Sequence, residues 1–420
     1  MKTVWIINEY AGSKYHGMVF RSYYYGRELV KRGYKVYVIS GAYHHNLKIF
    51  PKITGDFTFE EIDKITYVWV DVPKYKNAHD KKRVYKWFKF GAKILKLPIE
   101  KMDKPDLIID SSASLFHIYS ANQLAKKYNA KLFFEVRDIW PLSLIELGGY
   151  SPSHPFMRLM DWLERYGYKH ADKVISVLPN AKAHMMSQGM RKDKFIYLPN
   201  GIALEDYKES TPLEEEIKNK IPKDKFLIGY AGTVGHANAL RHLIDAAKMV
   251  KDRGYKNTHF VIVGNGKDKE YLKNMAKEYD LDNVTFIDQI LKSQVSSLLE
   301  MLDVCYIGLI NQPLFRFGVS PNKLFDYMMA AKPILYAINS GNKPVEEAGC
   351  GISVEAENPK AIAEGIMKLH DMSEEERRQM GERGKKYVIE NHAYENLVER
   401  LIETFEKSEE KREEMSSTLV

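Results

Sequence analysis

The segment Arg316-Phe317-Gly318-Val319-Ser320-Pro321-Asn322-Lys323-Leu324-Phe325-Asp326-Tyr327-Met328 concentrates groups that suit a diphosphate. Ser320 fits a helix N-cap and Pro321 the first helical position, so the helix start would offer free N–H groups and its positive dipole end. Asn322 and Lys323 add donors and a cation, and Arg316 lies just before them. Asp326, two residues beyond Leu324, falls in the first turns, where its carboxylate can accept from a ribose diol. Two glycine-rich loops follow the same logic. Gly229-Tyr230-Ala231-Gly232-Thr233-Val234-Gly235-His236 would bare amides at Gly232, Thr233 and Gly235 ahead of a helix beginning near Leu240. Val263-Gly264-Asn265-Gly266 repeats the strand-then-glycine pattern. Asp280-Leu281-Asp282 has the spelling of a metal-held nucleotide-sugar site, but at a helix end it reads as a turn.

The first half carries different chemistry. Val136-Arg137-Asp138-Ile139-Trp140-Pro141 follows a strand, so Arg137 is placed to meet an anion and Asp138 to accept a proton or a sugar hydroxyl. Asn8-Glu9-Tyr10-Ala11-Gly12-Ser13-Lys14-Tyr15-His16-Gly17 follows the first strand. Gly12 and Gly17 there permit close backbone approach, with His16 between them, and the loop lacks the GxGxxG spacing of a dinucleotide site.

Elements that hold these loops alternate between short apolar runs and helical spacing. Strands are expected at 4–7, 36–40, 107–110, 131–135, 173–177 and 195–198, and again at 226–230, 259–263, 284–287, 304–307, 333–336 and 351–354. That rhythm predicts an α/β chain of two Rossmann-like, doubly wound parallel-sheet domains, with ligands beyond the carboxyl ends of the strands in a cleft where the domains face each other. The expected division is 1–203, 204–393, a helix over 394–407 returning to the N-terminal domain, and a solvated charged tail over 408–420. A chain of 420 residues exceeds a single core, and 45% hydrophobic residues exclude a disordered one. No run reaches the roughly 18–20 apolar residues of a membrane span, and the first residues read as a strand, not a signal peptide. Cys305 and Cys350 read as buried thiols in a reducing cytoplasm.

The net charge of +7 conceals a split: residues 1–200 carry +14 and residues 201–420 carry −7. More than half of the basic excess lies in 73–104, which nets +8 and includes Lys81. At 100° per residue, Lys82, Lys86, Lys89, Lys93 and Lys96 form one stripe, with Val84, Trp87, Phe88, Ile94 and Leu95 opposite. This basic amphipathic helix predicts an anionic membrane surface, met by Lys82, Lys86, Trp87, Lys89 and Lys93, in preference to nucleic acid.

Taken together, the glycine loops, Ser320-Pro321-Asn322-Lys323-Leu324-Phe325-Asp326-Tyr327-Met328 with Ala331-Lys332-Pro333, and Glu135-Val136-Arg137-Asp138-Ile139-Trp140-Pro141 resemble glycosyltransferase family 4, of the GT-B fold. The last stretch resembles the bacterial O-antigen and capsule enzymes of the N-acetyl-fucosamine transferase type. The resemblance implies a nucleotide-diphospho-sugar donor, UDP by family prior, bound by the C-terminal domain. It also implies a lipid-diphosphate-linked sugar or glycan acceptor at the N-terminal domain, near Gly12, His16, Gly17 and Ser111, and retention of configuration without a metal. The expected place is the cytoplasmic face of the cell membrane. Lys323 and Arg316 would stabilise the leaving diphosphate, with Arg137 and Asp138 orienting acceptor or sugar. The family's E-x7-E pair would fall on Gly318 and Asp326, so only the second acid is kept. The family's Arg and Lys after the glycine turn would fall on Thr233 and Asn238. A nucleotide-sugar 2-epimerase of the same fold and a non-catalytic sugar-binding protein are the alternatives.

Overall fold

The structure, a computed structural model, describes residues 1–17, 20–76, 80, 82–112 and 114–417. It divides into two compact units: Met1–Asn200 together with the helix Tyr394–Ser417, and Gly201–Ala393. Both are built on sheets flanked by helices.

In the first unit the strands are β1 (Thr3–Ile7), β2 (Lys35–Gly41), β3 (Phe57–Ile62), β4 (Ile65–Val70), β5 (Leu107–Ser112), β6 (Lys131–Val136), β7 (Lys173–Ser176) and β8 (Phe195–Tyr197). They form one sheet in the order β3-β4-β2-β1-β5-β6-β7-β8. Every residue of β1, Thr-Val-Trp-Ile-Ile, is buried, as a central parallel strand covered on both faces requires.

The second unit holds β9 (Phe226–Ala231), β10 (Thr258–Val263), β11 (Val284–Ile287), β12 (Val304–Gly308), β13 (Ile334–Ala337) and β14 (Gly351–Ser353). Their order is β11-β10-β9-β12-β13-β14, parallel throughout. Cys305 and Cys350 are buried free thiols in its core, and burial pushes both up to about 12.

Two features differ from the sequence expectation. First, β3 and β4 form an antiparallel hairpin that the periodicity did not reveal. Its turn residues, Asp63 and Lys64, both adopt left-handed backbone, at φ 50° and 64°, without the glycine that usually marks such a turn. Second, the C-terminal helix does not stop at 407. It runs from Tyr394 to Ser417, with Ser408 buried and Lys2 paired to Glu409. Glu, Lys and Arg are strong helix formers, so an apolar first half carries a charged second half along. Within the unit, Tyr394 stacks on Tyr24 at 4.8 Å and Phe405 meets Phe133 at 6.4 Å.

Candidate functional site

In the second unit, the end of β9 meets the start of the helix Asn322–Met329. Tyr327, fully buried on that helix, receives the Ala231 amide at 3.0 Å and donates to the Ala231 carbonyl at 3.3 Å. This fixes the helix one turn away from Gly232. Lys323 then reaches back over the loop. Its Nζ donates to the Tyr230 hydroxyl at 2.8 Å and to Asn238 Oδ1 at 2.6 Å, and lies 4.5 Å from the Tyr230 ring centroid. A Cβ on Gly232 would sit 3.1 Å from the same Nζ. Loss of hydration pushes the Lys323 ammonium down to about 8. The result is a half-buried cation on a bare backbone loop beside a helix N-terminus, chemistry that suits an anion.

The glycine loops after β9 and β10 are zipped together. Val263 O receives Gly232 N and Asn265 O receives Val234 N, each at 3.0 Å. A Cβ on Gly264 would fall 1.9 Å from Gly232 O, and one on Gly266 would fall 2.0 Å from Val234 O. Glycine is therefore demanded at 264 and 266 by the close crossing of two backbones. Asn265 is likewise committed: its Oδ1 receives Lys269 Nζ at 3.0 Å, and that ammonium also reaches Ile287 O and Asp288 Oδ1. Thr233 contributes its carbonyl, which accepts from Tyr230 and Asn238, while Gly235 has extended backbone ahead of the turn His236–Asn238.

Several expected roles are revised. Ser320 is not the N-cap; Pro321, in extended conformation at φ −74° and ψ 125°, takes that place, and Asn322 is the first helical residue. Leu324 is buried in the core under the cradle. Asp326 already accepts from the Tyr207 hydroxyl at 2.6 Å and Lys292 Nζ at 2.7 Å. Arg316 folds onto its own turn, donating to Pro313 O at 2.7 Å with its guanidinium 4.3 Å from the Phe317 ring. It lines a cavity of about 650 Å³ with Asn339, Ser340 and Lys343. The loop that carries it is clamped by Asn342, whose side chain bonds both the amide and the carbonyl of Val319. Asp280 and Asp282 form a turn, with Asp282 paired to Lys251 at 2.8 Å.

In the first unit, Arg137 and Asp138 follow β6 as expected. Asp138 keeps solvent access but is surrounded by protein, and lost hydration raises its carboxyl pKa against the pull of Arg137. The preceding Glu135 is buried. Burial opposes its charge, yet Arg21 at 2.8 Å outweighs this and holds the pKa down. Ser111 donates to Glu135 Oε2 at 2.7 Å and is fully buried, so it is removed from contact with an acceptor. The Gly12–Gly17 loop is held by the unforeseen hairpin. Tyr67 donates to Gly12 O at 2.9 Å, and buried His16 lies between Ser13, Trp69 and Glu60. Gly17 needs its φ of 106° and would bring a Cβ within 2.9 Å of the Lys48 amide. These contacts give Gly12, His16 and Gly17 structural work in place of exposure to an acceptor.

The basic stripe is also corrected. The helix Lys82–Ile94 buries Lys86, Trp87, Phe90, Gly91 and Ile94, an arc that includes two residues expected at the membrane. Lys86 is completely buried, 2.9 Å from Glu9 Oε1 and 4.1 Å from the Tyr10 ring centroid. Glu9 also receives the Ser114 hydroxyl at 2.8 Å, and Trp87 donates to Tyr10. Beside them buried His117 Nδ1 lies 2.7 Å from Asp110. Burial lowers the His117 pKa, but the Asp110 charge outweighs it and the net shift is upward. Lys93 pairs with Asp56 and Asp71, whereas Lys82 and Lys89 are exposed as expected; Lys81 lies outside the described residues.

Two family profiles tile this architecture. Residues 15–206 match Glycosyltransferase Family 4, and residues 213–387 match Glycosyl transferases group 1. The chain belongs to these glycosyltransferases. WcaI of Escherichia coli strain K12, named as a colanic acid biosynthesis glycosyl transferase, is 24% identical over 272 residues, 63% of this chain and 66% of WcaI. The capsular polysaccharide biosynthesis glycosyltransferase CapM of Staphylococcus aureus is 23% identical over 235 residues, 54% of this chain and 59% of CapM. The match thus spans less than two thirds of either relative's length, 66% of WcaI and 59% of CapM. A solved structure of trehalose-6-phosphate from E. coli, bound with UDP-2-fluoro glucose, superposes with a TM-score of 0.72 at 11% identity, covering 96% of this chain and 99% of that one. The fold is GT-B.

For a glycosyltransferase of this fold, the sequence reading missed Tyr230 and Asn238 as the holders of Lys323. Tyr230 stood in the glycine-loop motif, and its hydroxyl was the available signal. It also missed the buried Glu9–Lys86 and Asp110–His117 pairs, which no local spacing announces. Among the described residues no three His, Cys, Asp or Glu side chains gather as a metal site, and no helix is long and apolar enough to cross a membrane.

Proposed function

We propose that this chain transfers a sugar, of the N-acetylhexosamine class, from a UDP-sugar to a lipid-diphosphate-linked sugar or glycan in cell-surface polysaccharide synthesis. The work would be done at the cytoplasmic face of the membrane. The names of WcaI and CapM support the polysaccharide setting, and the UDP-sugar bound in the E. coli neighbour supports the donor class. The observation that carries the reading is the Lys323 ammonium, held by Tyr230 and Asn238 over Gly232 at the start of the helix Asn322–Met329.

In this reading the donor diphosphate lies against Gly232, Lys323 and the amides that follow Pro321, with Asn322 beside them. Asp326 would exchange Lys292 or Tyr207 for a ribose hydroxyl. Transfer is retaining and needs no metal. The bond from the anomeric carbon to the β-phosphate oxygen breaks, the bond to the acceptor oxygen forms on the same face, and the acceptor proton passes to the departing phosphate oxygen. Lys323 and the helix dipole stabilise the charge that develops there. Asp138 and Arg137 hold a sugar or acceptor hydroxyl, and Arg316 with its cavity meets the donor's sugar end.

A thermal-shift panel of UDP, GDP, ADP and dTDP tests the donor first. A ligand at 100 times its Kd stabilises by about 2.7 kcal/mol, so UDP should stand out. No stabilisation by any of the four would sink the cradle. Product analysis with UDP-N-acetylhexosamines and a diphosphate-linked acceptor then tests transfer and anomeric configuration.

A further inference from the structure

We propose that the first unit docks on an anionic lipid bilayer through the outer face of three adjacent helices, Lys82–Ile94, Ile118–Tyr128 and Pro155–His170. This surface differs from the stripe expected from sequence, part of which is buried.

The three helices lie side by side. The Gly91 carbonyl receives Ser120 Oγ at 2.7 Å, and a Cβ on Gly91 would come within 3.1 Å of Phe116 O, so the first two pack closely. Asn122 donates to the Tyr166 hydroxyl at 2.6 Å, and Tyr119 meets the Tyr166 ring at 5.5 Å, joining the second to the third. Large apolar side chains that such packing should hide point outward instead. Tyr85, Phe88, Leu95, Tyr119, Leu159 and Trp162 are each 36–53% exposed, with at least one from or beside every helix. Large apolar side chains exposed together on adjacent helices mark a partner surface.

Charge selects the partner. Lys82, Lys89, Lys126, Lys127, Arg158 and Lys169 are exposed on the same helices. The first two helices contain no acid. The third contains Asp161, paired with Arg165 at 2.8 Å, and Glu164, which is buried and bonded by Tyr168. On the third helix Arg158, Trp162, Arg165 and Lys169 recur every three or four residues, so cations flank the indole along one stripe. A second copy of this face would repel it. Nucleic acid would satisfy the cations but leave the outward leucines and phenylalanine in water. An anionic headgroup layer over acyl chains satisfies both, with aromatic rings at the interface and Lys and Arg at the phosphates. The inference rests on the proposed membrane-borne acceptor for its purpose, but not for its test.

The test is co-sedimentation of the full chain with phosphatidylcholine vesicles, with and without phosphatidylglycerol, lacking any acceptor lipid. The wild-type chain should pellet only with the anionic vesicles and be released by salt. Each basic residue at such a surface contributes about fivefold in partitioning. The double variant Lys126→Glu/Arg158→Glu should therefore lose more than tenfold, as should Phe88→Ser/Trp162→Ser. UDP-induced thermal stabilisation and transfer to a water-soluble acceptor should persist in both, which shows that they fold. Reversal of a distant surface lysine, Lys273→Glu, should change nothing. Wild-type failure to bind anionic vesicles, or unchanged binding by both double variants, overturns the docking face. Vesicle binding without any transfer activity would overturn the transferase reading alone.

Discussion

Lys323 offers the sharpest measurement. Its ammonium has lost most of its water, holds two neutral partners at 2.8 and 2.6 Å, and titrates near pH 8. If it meets a donor phosphate, its charge must be present for binding. At about 4 Å and an effective dielectric constant of about 20, the attraction is roughly 4 kcal/mol per unit charge before remaining desolvation is subtracted. Hydrogen bonds to charged groups are worth about 1.5–3 kcal/mol net. Lys323→Met should therefore weaken UDP by about 2–3 kcal/mol, which is thirtyfold to about 150-fold. The pH profile is more diagnostic. Above pH 7 the terminal phosphate of UDP is largely dianionic, with a second pKa near 6, so it contributes little further change. A free-protein pKa of about 8 makes wild-type affinity nearly flat to pH 7 and about tenfold weaker at pH 9. Isothermal titration with UDP at pH 6.5, 7.5, 8.5 and 9.5 reads this directly, and the Met variant should give a flat line. A variant that binds within threefold of wild type at pH 7, or that keeps the alkaline loss, refutes the assignment of Lys323 to the diphosphate.

Gly264→Ala should destabilise the second unit by more than about 3 kcal/mol and abolish the UDP-induced thermal shift, because its Cβ would lie 1.9 Å from Gly232 O. Lys86→Met leaves the buried Glu9 without its cation, so urea unfolding should show a loss of about 3–5 kcal/mol, partly restored by adding Glu9→Gln. The raised pKa of His117 means that its charge pairing stabilises fully below its unfolded pKa of about 6.5 and is lost as pH rises through the higher folded value. The melting temperature of wild type relative to His117→Asn should accordingly fall as pH rises above about 6.5.

The two-sheet architecture was legible because central parallel strands are continuous apolar runs. The 226–230 run becomes β9 and the 284–287 run becomes β11, with little shift at their ends. The hairpin β3–β4 was not legible. Glu60 and Glu61 interrupt its apolar pattern, and the Asp63–Lys64 turn has no glycine. That omission propagated to the Gly12–Gly17 loop, whose true partners, Tyr67, Trp69 and Glu60, lie on the hairpin. The cradle was partly legible. Lys323 and Gly232 were each recognised from local chemistry, but their meeting depends on Tyr327 pinning the helix to β9. One lysine of the basic helix was assigned the wrong face because all of its lysines were assumed to share solvent. Lys86 instead sits at the centre of the inward arc, and only a distant carboxylate, Glu9, makes that possible. A long-range ion pair leaves no periodic trace.

The helix Tyr394–Ser417 completes a unit whose other residues are the first 200. During translation, Tyr24 and Tyr25 leave the ribosome long before Tyr394, their cover, has been synthesised. At about 5–20 residues per second, those rings wait roughly 20 to 75 seconds for it. Gly201–Ala393, by contrast, is continuous in sequence and has all of its residues made before Tyr394. The nascent first unit therefore stays open to chaperones and proteases for longer than the second, and a chain ending at Ala393 would lack the cover of Tyr24 and Tyr25 while holding every residue of Gly201–Ala393.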